Sequence, residues 1–370
     1  MPITLPSHLR CGSQVATTPM TVLPGQGSAE NPCPGYLCIE KFMRDAVGAR
    51  ALQSALELGL IDDLSRQSGA DFAALAARSR IDPRGLHLLL GMLRANQVIE
   101  ERDGRFALSA AFTTALDYRD LLAAKLDFAS LVAPDFLGMF STLLVDPQRF
   151  FETSTIFDLF SYERCFEPTP ENMLATRRWT HFTTILTKYE AQACIDHHNF
   201  ASSRRLLDVG GNSGEFALRI CRAHAGVQAS VFDLPLVCDI GMEHLRGEPE
   251  AARITFVKAG SRARDDFPSG FDTVCFKSML HDWPDQEVGQ FLENAYRALD
   301  PGGTLLIFER GIFDPKSQPI PYSMIPIMLF FRSYRLPDEY LMQLERVGFR
   351  DINIRVILLE MPFLLITATK

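Results

Sequence analysis

From residue 36 onward, the chain places its apolar side chains at helical spacing. Within residues 48–64, leucines recur every fourth residue and form one face of an amphipathic helix, which we expect to be buried. These leucines are Leu52, Leu56, Leu60 and Leu64. The pattern predicts that this part of the protein is mainly helical.

Two further helices and a hairpin follow. We predict a short helix over 71–79 and a longer one over 84–97, separated by a turn at Asp82-Pro83. Alternating polar and apolar residues over 98–108 predict a hairpin, because Asp103-Gly104 is a dipeptide that tolerates positive φ at both turn positions. Helix, turn, helix and hairpin is the order of a winged helix.

After residue 202 the pattern changes to short apolar runs that alternate with helical segments. Such alternation predicts an α/β fold with a doubly wound, largely parallel sheet. The segment between, 118–200, is predicted to be helical and is dense in aromatic residues, which fill a core or wall an apolar pocket. The predicted strands are 205–209, 228–232, 254–257, 273–276, 304–308, 351–355 and 363–368.

Composition and charge narrow the possible partners. With 47% apolar and 22% charged residues, the chain has the composition of a folded globular protein. Its net charge of −8 gives no overall attraction to nucleic acid or anionic membranes. Although winged helices often bind DNA, residues 40–120 hold 11 Lys or Arg against 12 Asp or Glu. We therefore expect a small-molecule partner and no nucleic acid, and keep a DNA-binding regulator as the weaker alternative.

The N-terminal segment and the cysteines bear on location. Residues 1–35 contain six prolines and four glycines with only Arg10 and Glu30 charged, which predicts a disordered arm. This segment lacks the basic and apolar regions of a signal peptide, and no apolar run reaches the roughly 18 to 20 residues of a membrane span. Eight scattered cysteines without a C-x-x-C pair favour free thiols and argue against a zinc site. We expect a cytoplasmic protein without membrane contact or metal.

A glycine-rich turn after the first predicted strand of the sheet indicates a nucleotide-like ligand. Gly210, Gly211 and Gly214 are present, but the first glycine of a dinucleotide fingerprint and the lysine of a phosphate loop are absent. Asp208 would repel a pyrophosphate, yet suits a ligand with an ammonium and a sulfonium. Asp233 ends the next strand and can accept hydrogen bonds from ribose hydroxyls. The pattern points to S-adenosylmethionine.

Two further motifs are more specific. Phe276-Lys-Ser-Met-Leu-His-Asp-Trp-Pro-Asp285 follows the fourth strand, and Leu305-Leu-Ile-Phe-Glu309 lies on the fifth. With the glycine turn and Asp233, they resemble the class I S-adenosylmethionine-dependent O-methyltransferases of the caffeic acid, acetylserotonin and hydroxyneurosporene type. The resemblance covers nearly the whole chain after the arm. It implies a winged-helix dimerisation domain joined to a Rossmann-like methyltransferase sheet, and hence a homodimer.

The resemblance also implies domain limits and site residues. The expected units are an arm (1–35), a winged-helix dimerisation domain (36–117), a helical linker that contributes to the substrate pocket (118–200) and an S-adenosylmethionine-binding domain (201–370). The implied cofactor contacts are Asp208, Gly210, Gly211, Gly214, Asp233, Leu234, Ser261, Lys277 and Trp283. The implied acceptor pocket is Phe160, Trp179, His181, Phe182, Met328, Phe331 and Tyr334.

The resemblance implies that His281 is the catalytic base, that Asp282 helps to position the acceptor and that Glu309 orients the imidazole. The chemistry agrees, because an imidazole with an ordinary pKa near 6.5 can remove a proton at neutral pH. A carboxylate behind the ring fixes its tautomer and stabilises the imidazolium. The expected activity is methyl transfer from S-adenosylmethionine to a hydroxyl of a small, apolar or aromatic, secondary-metabolite-like acceptor.

Three positions depart from the family pattern. Asn212 replaces a third glycine, although asparagine tolerates a left-handed backbone. Ser261 follows Gly260 where the family commonly has an aspartate beside the adenine. Tyr334 falls where the family has a second carboxylate behind the base, so His281 is expected to have one such partner instead of two. This loss leaves open carbon methylation, or a member of the fold that binds the cofactor without transferring its methyl.

Overall fold

The structure is a computed structural model that describes residues 21–24, 34–42, 46–67, 69–260, 267–312 and 320–370. Its strands form one eight-stranded and one three-stranded sheet. The strands are β1 (Thr21–Pro24), β2 (Ala70–Asp71), β3 (Ile99–Arg102), β4 (Arg105–Leu108), β5 (Arg205–Val209), β6 (Gln228–Asp233), β7 (Ile254–Lys258), β8 (Phe271–Lys277), β9 (Leu299–Arg310), β10 (Arg350–Leu358) and β11 (Pro362–Thr369).

Helices of very different length connect these strands. The α-helices are α1 (Ala46–Glu57), α2 (Leu60–Ser65), α3 (Phe72–Arg78), α4 (Pro83–Ala95), α5 (Ala110–Ala115), α6 (Arg119–Gly138), α7 (Phe140–Val145), α8 (Pro147–Thr153), α9 (Pro170–His197), α10 (Glu215–Ala223), α11 (Pro235–His244), α12 (Asp285–Ala298), α13 (Ile325–Met328) and α14 (Pro337–Val347). Shorter 3₁₀ helices are Gly35–Phe42, Leu116–Tyr118, Thr155–Phe160, Tyr162–Phe166, Phe200–Ser202, Pro249–Arg253, Leu280–Asp282 and Tyr322–Met324.

The predicted winged helix is confirmed. The Asp71 and Asp82 carboxylates accept hydrogen bonds from backbone N–H groups at the starts of α3 and α4, which fixes where the two helices begin. Strands β3 and β4 form the hairpin, with φ of 51° at Asp103 and 72° at Gly104. Positive φ at both turn residues matches the right-handed twist of the two strands.

The predicted leucine face is buried, but the helix that carries it is broken. Gly59 adopts a φ of 75° between α1 and α2, a left-handed conformation that glycine reaches without steric cost. Leu52, Leu60 and Leu64 are nonetheless buried in one N-terminal core. The break redirects the chain while the same apolar face stays packed.

The large sheet has the order β1-β10-β11-β9-β8-β5-β6-β7. Neighbouring strands from β9 to β7 run parallel, whereas β11 is antiparallel to both β9 and β10. All seven strands predicted after residue 202 are present, so the predicted α/β class with a Rossmann-like sheet is confirmed. Thr21–Pro24, within the segment predicted as a disordered arm, instead pairs parallel with β10. Residues 1–20 and 25–33 of that segment lie outside the described residues.

Both faces of the sheet are covered by helices. Along β9, Leu305 and Ile307 belong to the core under α12 and α14, while Leu306 and Phe308 belong to the core under α9 and α10. This alternation is the two-residue period of a strand buried on both faces. Consequently Glu309 and Arg310, the last two residues of β9, direct their side chains to opposite faces.

Helix α9 links the two halves of the protein. Its residues Ile185, Leu186 and Tyr189 pack against the N-terminal core, and Ala191 and Cys194 pack under the large sheet. One helix therefore contributes to both cores, and the domain limits expected at residues 117 and 200 stay predictions. Within the described ranges, no helix is both long and apolar enough to cross a membrane.

The topology determines where a ligand can bind. The strand order reverses at β5, from which the chain crosses to β6 on one side and later to β8 on the other. In such sheets a crevice opens at the carboxyl ends of the strands beside this reversal. The glycine turn after β5 and the His281 motif after β8 therefore meet at one edge.

Candidate functional site

A cavity of about 1310 Å³, counting its open mouth, occupies this crevice. Its walls come from the glycine turn, the ends of β6, β8 and β9, helix α9 and the segment around α13. One half is polar and lies beside the glycine turn, and the other half is mainly aromatic.

The glycine turn requires its glycines. Gly210 and Gly214 have φ of 65° and 77°, and Asn212 adopts 56°, a conformation that asparagine tolerates. A Cβ added at Gly211 would lie 2.5 Å from Oδ2 of Asp208. The backbone can therefore approach a ligand closely at a place where no side chain fits.

Asp233 is held rigidly at the end of β6. Its Oδ2 accepts the Asn212 N–H at 2.7 Å, and its Oδ1 accepts the Leu234 N–H at 2.7 Å. Burial raises the pKa of Asp233 to about 6, although these two N–H groups favour the charged form. Each oxygen keeps a further lone pair, so the carboxylate can accept both hydroxyls of a ribose.

Asp208 is fully buried in the cavity wall, and among the described residues neither of its oxygens has a hydrogen-bond partner of good geometry, although the backbone N–H of Ala217 is close enough to favour its charged form. Burial raises the pKa of Asp208 to about 8, and the nearby Asp233 adds to the shift while Lys277 opposes it. An unpartnered buried carboxyl is costly unless a ligand compensates it. A cationic ligand would lower this pKa and stabilise the ionised carboxylate, whereas a phosphate would oppose ionisation, so the residues present fit S-adenosylmethionine.

His281 lies at the far end of the cavity, in the 3₁₀ turn after β8. Its Nδ1 donates to Oε1 of Glu309 at 2.8 Å, which leaves the lone pair of a neutral ring on Nε2. Glu309 also accepts the N–H of Leu280 at 3.1 Å and that of Arg310 at 2.8 Å. Burial would lower the pKa of His281, but the charges of Glu309 and Asp282 raise it above its ordinary value.

Asp282 has a partner that the sequence did not suggest. The Tyr162 hydroxyl, on a 3₁₀ helix before α9, donates to Oδ2 of Asp282 at 2.7 Å. Oδ1 of the same carboxylate lies 3.4 Å from Nε2 of His281. The Tyr162 ring also stacks on Trp283, with centroids 6.0 Å apart. Tyr162 thus contacts two consecutive residues of the His281 motif.

Tyr334, where the resemblance implied the loss of a second carboxylate, lies beside His281. Its ring centroid lies 5.4 Å from that of His281, while its hydroxyl donates to the Ile327 carbonyl at 3.0 Å. The base therefore has one carboxylate behind it and an aromatic ring beside it. The next residue, Arg335, donates to the carbonyls of Leu280 at 2.8 Å and Trp283 at 2.6 Å, which fixes the backbone of the motif.

The other half of the cavity is walled by aromatic rings. Phe160 lies 6.1 Å from Phe128 and 5.5 Å from Phe330, and Phe330 lies 5.3 Å from the His281 ring. These edge-to-face contacts give a continuous apolar wall that ends at the imidazole. Pro326 and Ile327 complete it. The wall suits a flat, mostly apolar molecule.

An O-methyltransferase domain model matches residues 148–350, more than half of the chain. The chain belongs to the O-methyltransferase family. This O-methyltransferase is 30% identical over 288 residues to 3-hydroxy-5-methyl-1-naphthoate 3-O-methyltransferase of Streptomyces sahachiroi, covering 75% of this chain and 77% of the relative. It is 24% identical over 309 residues to L-tyrosine C(3)-methyltransferase of Streptomyces lavendulae, covering 80% and 82%.

A solved structure supports the fold. The crystal structure of human N-acetylserotonin methyltransferase in complex with SAM superimposes with a TM-score of 0.69 at 21% identity. The match covers 93% of this O-methyltransferase and 99% of the human chain. The winged helix and the large sheet therefore occur together in that protein too.

Most of the predicted site residues of this O-methyltransferase meet around the cavity. Glu309 lies behind His281, Gly214 begins α10 and Phe182 stacks on Phe128 from behind the wall. Ser261 lies outside the described residues. The predicted residues that line the cavity are Phe160, Trp179, Asp208, Gly210, Gly211, Asp233, Leu234, Lys277, His281, Asp282, Trp283 and Tyr334.

Four pocket predictions are corrected by the structure. Phe182 does not line the cavity and instead stacks on Phe128, which does. His181 is exposed, because the cavity face of α9 runs through Trp179, Thr183 and Glu190, and a residue two positions after Trp179 points away. Phe331 is also exposed, and Met328 packs in a neighbouring apolar cluster. Pro326, Ile327 and Phe330 line the cavity in their place.

Lys277 lines the cavity as predicted and also forms an ion pair that the sequence did not suggest. Its Nζ donates to Oε2 of Glu190 and, at 3.0 Å, to Oγ1 of Thr187. Arg310 binds the other oxygen of Glu190, and all three charged residues line the cavity. The sequence signal for Glu190 is weak, since a single glutamate in a helix is normally exposed. Across the described ranges, no His, Cys, Asp and Glu side chains group as a metal site would require.

Proposed function

We propose that this O-methyltransferase transfers the methyl group of S-adenosylmethionine to a hydroxyl of a small, mostly apolar or aromatic acceptor, with His281 as general base. The observation that carries the proposal is the hydrogen bond from Nδ1 of His281 to buried Glu309, which leaves Nε2 to take a proton beside the aromatic wall. Asp282 is the second polar group there, held by Tyr162.

The polar half of the cavity would hold the cofactor. When bound, S-adenosylmethionine supplies an electrophilic methyl group on a sulfonium. The glycine turn allows close approach of the backbone, Asp233 accepts the ribose hydroxyls and Asp208 faces the cationic end. Leu234 and Trp283 offer apolar surface for the adenine, and Gly214 supports the turn at the start of α10.

The aromatic half would hold the acceptor. The Phe160, Phe330 and Tyr334 rings, with Trp179 on α9, offer stacking surface and few polar partners. Nε2 of His281 takes the hydroxyl proton and Glu309 stabilises the resulting imidazolium. Orientation also contributes to the rate, because the displacement must be in line. The similarity to a naphthoate 3-O-methyltransferase supports a secondary-metabolite-like aromatic acceptor.

The direct test is turnover with a panel of phenolic and naphtholic acceptors. Purified protein with S-adenosylmethionine should give S-adenosylhomocysteine and a product heavier by one methylene unit. The His281→Ala variant should bind the cofactor and lose most turnover. Turnover by that variant at the wild-type rate would overturn the assignment of the base.

Carbon methylation is the second candidate. Tyr334 leaves His281 with one carboxylate behind it, and the similar L-tyrosine C(3)-methyltransferase acts on a ring carbon. A base that deprotonates a phenol also activates its ortho carbon, so the same site can serve either reaction. The position of the methyl group in the product, determined by NMR, distinguishes the two.

We also propose a cytoplasmic homodimer formed through the winged-helix domain. Val47, Leu58 and Leu88 of that domain are exposed by 63%, 52% and 67%, which supports a contact that covers them. Cys194, Cys221 and Cys275 are free thiols, as expected in a reducing compartment. Sedimentation at micromolar concentration should give a dimer, and a monomer alone would contradict the pairing. Cell fractionation tests the location.

A further inference from the structure

The cavity wall carries two cations in a site that should accept a cationic cofactor. Lys277 and Arg310 both line the cavity beside the His281 motif. Two uncompensated positive charges would oppose a sulfonium, because Coulomb interactions in a partly buried site are stronger than in water. A negative charge must therefore offset them.

Glu190 on α9 lies between the two cations. Its Oε2 accepts from Nζ of Lys277 and its Oε1 from Nη2 of Arg310. The carboxylate is 2% exposed, and all three side chains are at least nine-tenths buried. Arg310 points to the face of β9 opposite Glu309, so its guanidinium binds Glu190 while Glu309 binds His281. The charge of Arg310 nevertheless lowers the pKa of His281.

The charge on Glu190 is permanent at physiological pH. Burial would raise its pKa, but the charges of Arg310 and Lys277 outweigh burial and lower it to about 2. The pKa values of Asp208 and Asp233 are instead raised to about 8 and about 6. Glu360 lies outside the cavity wall, 4.0 Å from both Arg310 and Lys125. Its negative charge is therefore shared between Arg310 and Lys125, which does not line the cavity.

We propose that Glu190 is a specificity-determining residue that neutralises one of the two wall cations and thereby reduces the repulsion of the cavity for the sulfonium cofactor relative to the neutral thioether product. The inference rests on the proposed cofactor binding. Glu190 also binds the last residues of β8 and β9, Lys277 and Arg310, and so links α9 to the strand ends next to His281 and Glu309.

S-adenosylmethionine and S-adenosylhomocysteine form a matched pair of probes. They share the nucleoside and the amino acid and differ by a methyl group with its positive charge. In Glu190→Gln, calorimetry should show S-adenosylmethionine weakened about tenfold more than S-adenosylhomocysteine, equivalent to about 1.4 kcal/mol. A role in folding or shape alone would weaken both ligands equally.

Three variants control the experiment. Glu190→Asp keeps the charge and should retain the wild-type affinity ratio. Glu190→Gln/Arg310→Gln removes one charge of each sign and should restore the ratio even if both affinities fall. Asp120→Asn removes a carboxylate that binds Lys188 and Tyr189 on the same helix, away from the cavity, and should leave the ratio unchanged. Thermal melting reports whether each variant is folded.

The outcomes separate the two proposals. A changed ratio in Glu190→Gln that the double variant restores supports the charge role. Equal weakening of both ligands, or no weakening in the folded variant, overturns it. If wild-type protein binds neither ligand, the proposed cofactor fails instead. If it binds both but methylates no acceptor, the proposed reaction fails. The charge role of Glu190 is then still decided by the ratio of the two affinities in Glu190→Gln.

Discussion

Nδ1 of His281 lies 2.8 Å from Oε1 of Glu309, and both side chains are buried. The two residues come from the ends of neighbouring parallel strands, β8 and β9, and are 28 positions apart in the chain. The hydrogen bond fixes the tautomer in which Nε2 is free to accept a proton. The proposed chemistry depends on this pair, and the first two predictions test it.

Replacing the base should separate catalysis from binding. His281→Ala removes the proton acceptor but leaves Asp233 and the glycine turn intact, so the Kd for S-adenosylhomocysteine should stay within about threefold of wild type. Loss of general base catalysis typically lowers kcat by about 10²–10⁴-fold. Steady-state kinetics measures kcat, and calorimetry measures the Kd for S-adenosylhomocysteine. A variant that turns over normally would contradict the assignment.

The pH dependence of the rate should follow His281. Its pKa lies above the ordinary value: burial lowers it, but the charges of Glu309 and Asp282 and the hydrogen bond to Glu309 together outweigh burial, and the base must be neutral to act. Activity should therefore rise with pH through the pKa of His281. Glu309→Gln removes a negative charge and so lowers the pKa of His281. The rise of kcat/KM with pH should therefore occur at lower pH in this variant, and the maximum value of kcat/KM should fall. A rise that does not move, or moves to higher pH, contradicts the pairing.

The contact from Tyr162 to Asp282 predicts a role in positioning. Tyr162→Phe removes a hydrogen bond to a carboxylate, a bond worth about 1.5–3 kcal/mol, so we expect kcat/KM for the acceptor to fall about tenfold or more. Because that hydrogen bond lowers the pKa of Asp282, the pKa of this carboxyl should rise in the variant. Affinity for S-adenosylhomocysteine is the control and should hardly change. An unchanged kcat/KM would show that Asp282 needs no such support.

Gly211 tests the close approach of the backbone to the cofactor. A methyl group there would lie 2.5 Å from Oδ2 of Asp208, so Gly211→Ala must displace the turn. We expect cofactor affinity to fall by more than about tenfold, which is about 1.4 kcal/mol. Gly104→Ala is the control, because this glycine lies in the hairpin turn away from the cavity and a Cβ there meets nothing within 4 Å. Cofactor affinity should be unchanged in this variant. Wild-type affinity in Gly211→Ala would show that the turn does not contact the cofactor.

The large sheet could be predicted because its strands are short apolar runs, as expected for strands that are buried on both faces. The hairpin at Asp103-Gly104 and the start of α4 at Asp82 were predictable for a similar reason, since a local turn or cap dictates each. Strand β1 was not, because Thr21–Pro24 pairs with β10 from a proline-rich segment more than 300 residues away. Local pattern carries no information about such pairing.

Site residues that lie in short contiguous motifs could be predicted from the sequence. Site residues that the fold brings together from distant parts of the chain could not. His281, Asp282 and Glu309 lie in two short motifs, whereas Tyr162 meets Asp282 across 120 residues of sequence. His181 and Phe331 were misplaced because the direction of a side chain depends on the exact phase of a helix or turn. Glu190 was missed because a buried glutamate looks like a surface one until its two cationic partners are in place.

The position of the methyl group in the product distinguishes hydroxyl methylation from carbon methylation. The protein is incubated with S-adenosylmethionine that carries a ¹³C-labelled methyl group and with naphtholic and phenolic acceptors, and the product is examined by carbon NMR. We predict a labelled methoxy carbon on the acceptor and its loss in His281→Ala. A labelled methyl on a ring carbon, or an unmodified acceptor despite cofactor binding, would contradict hydroxyl methylation.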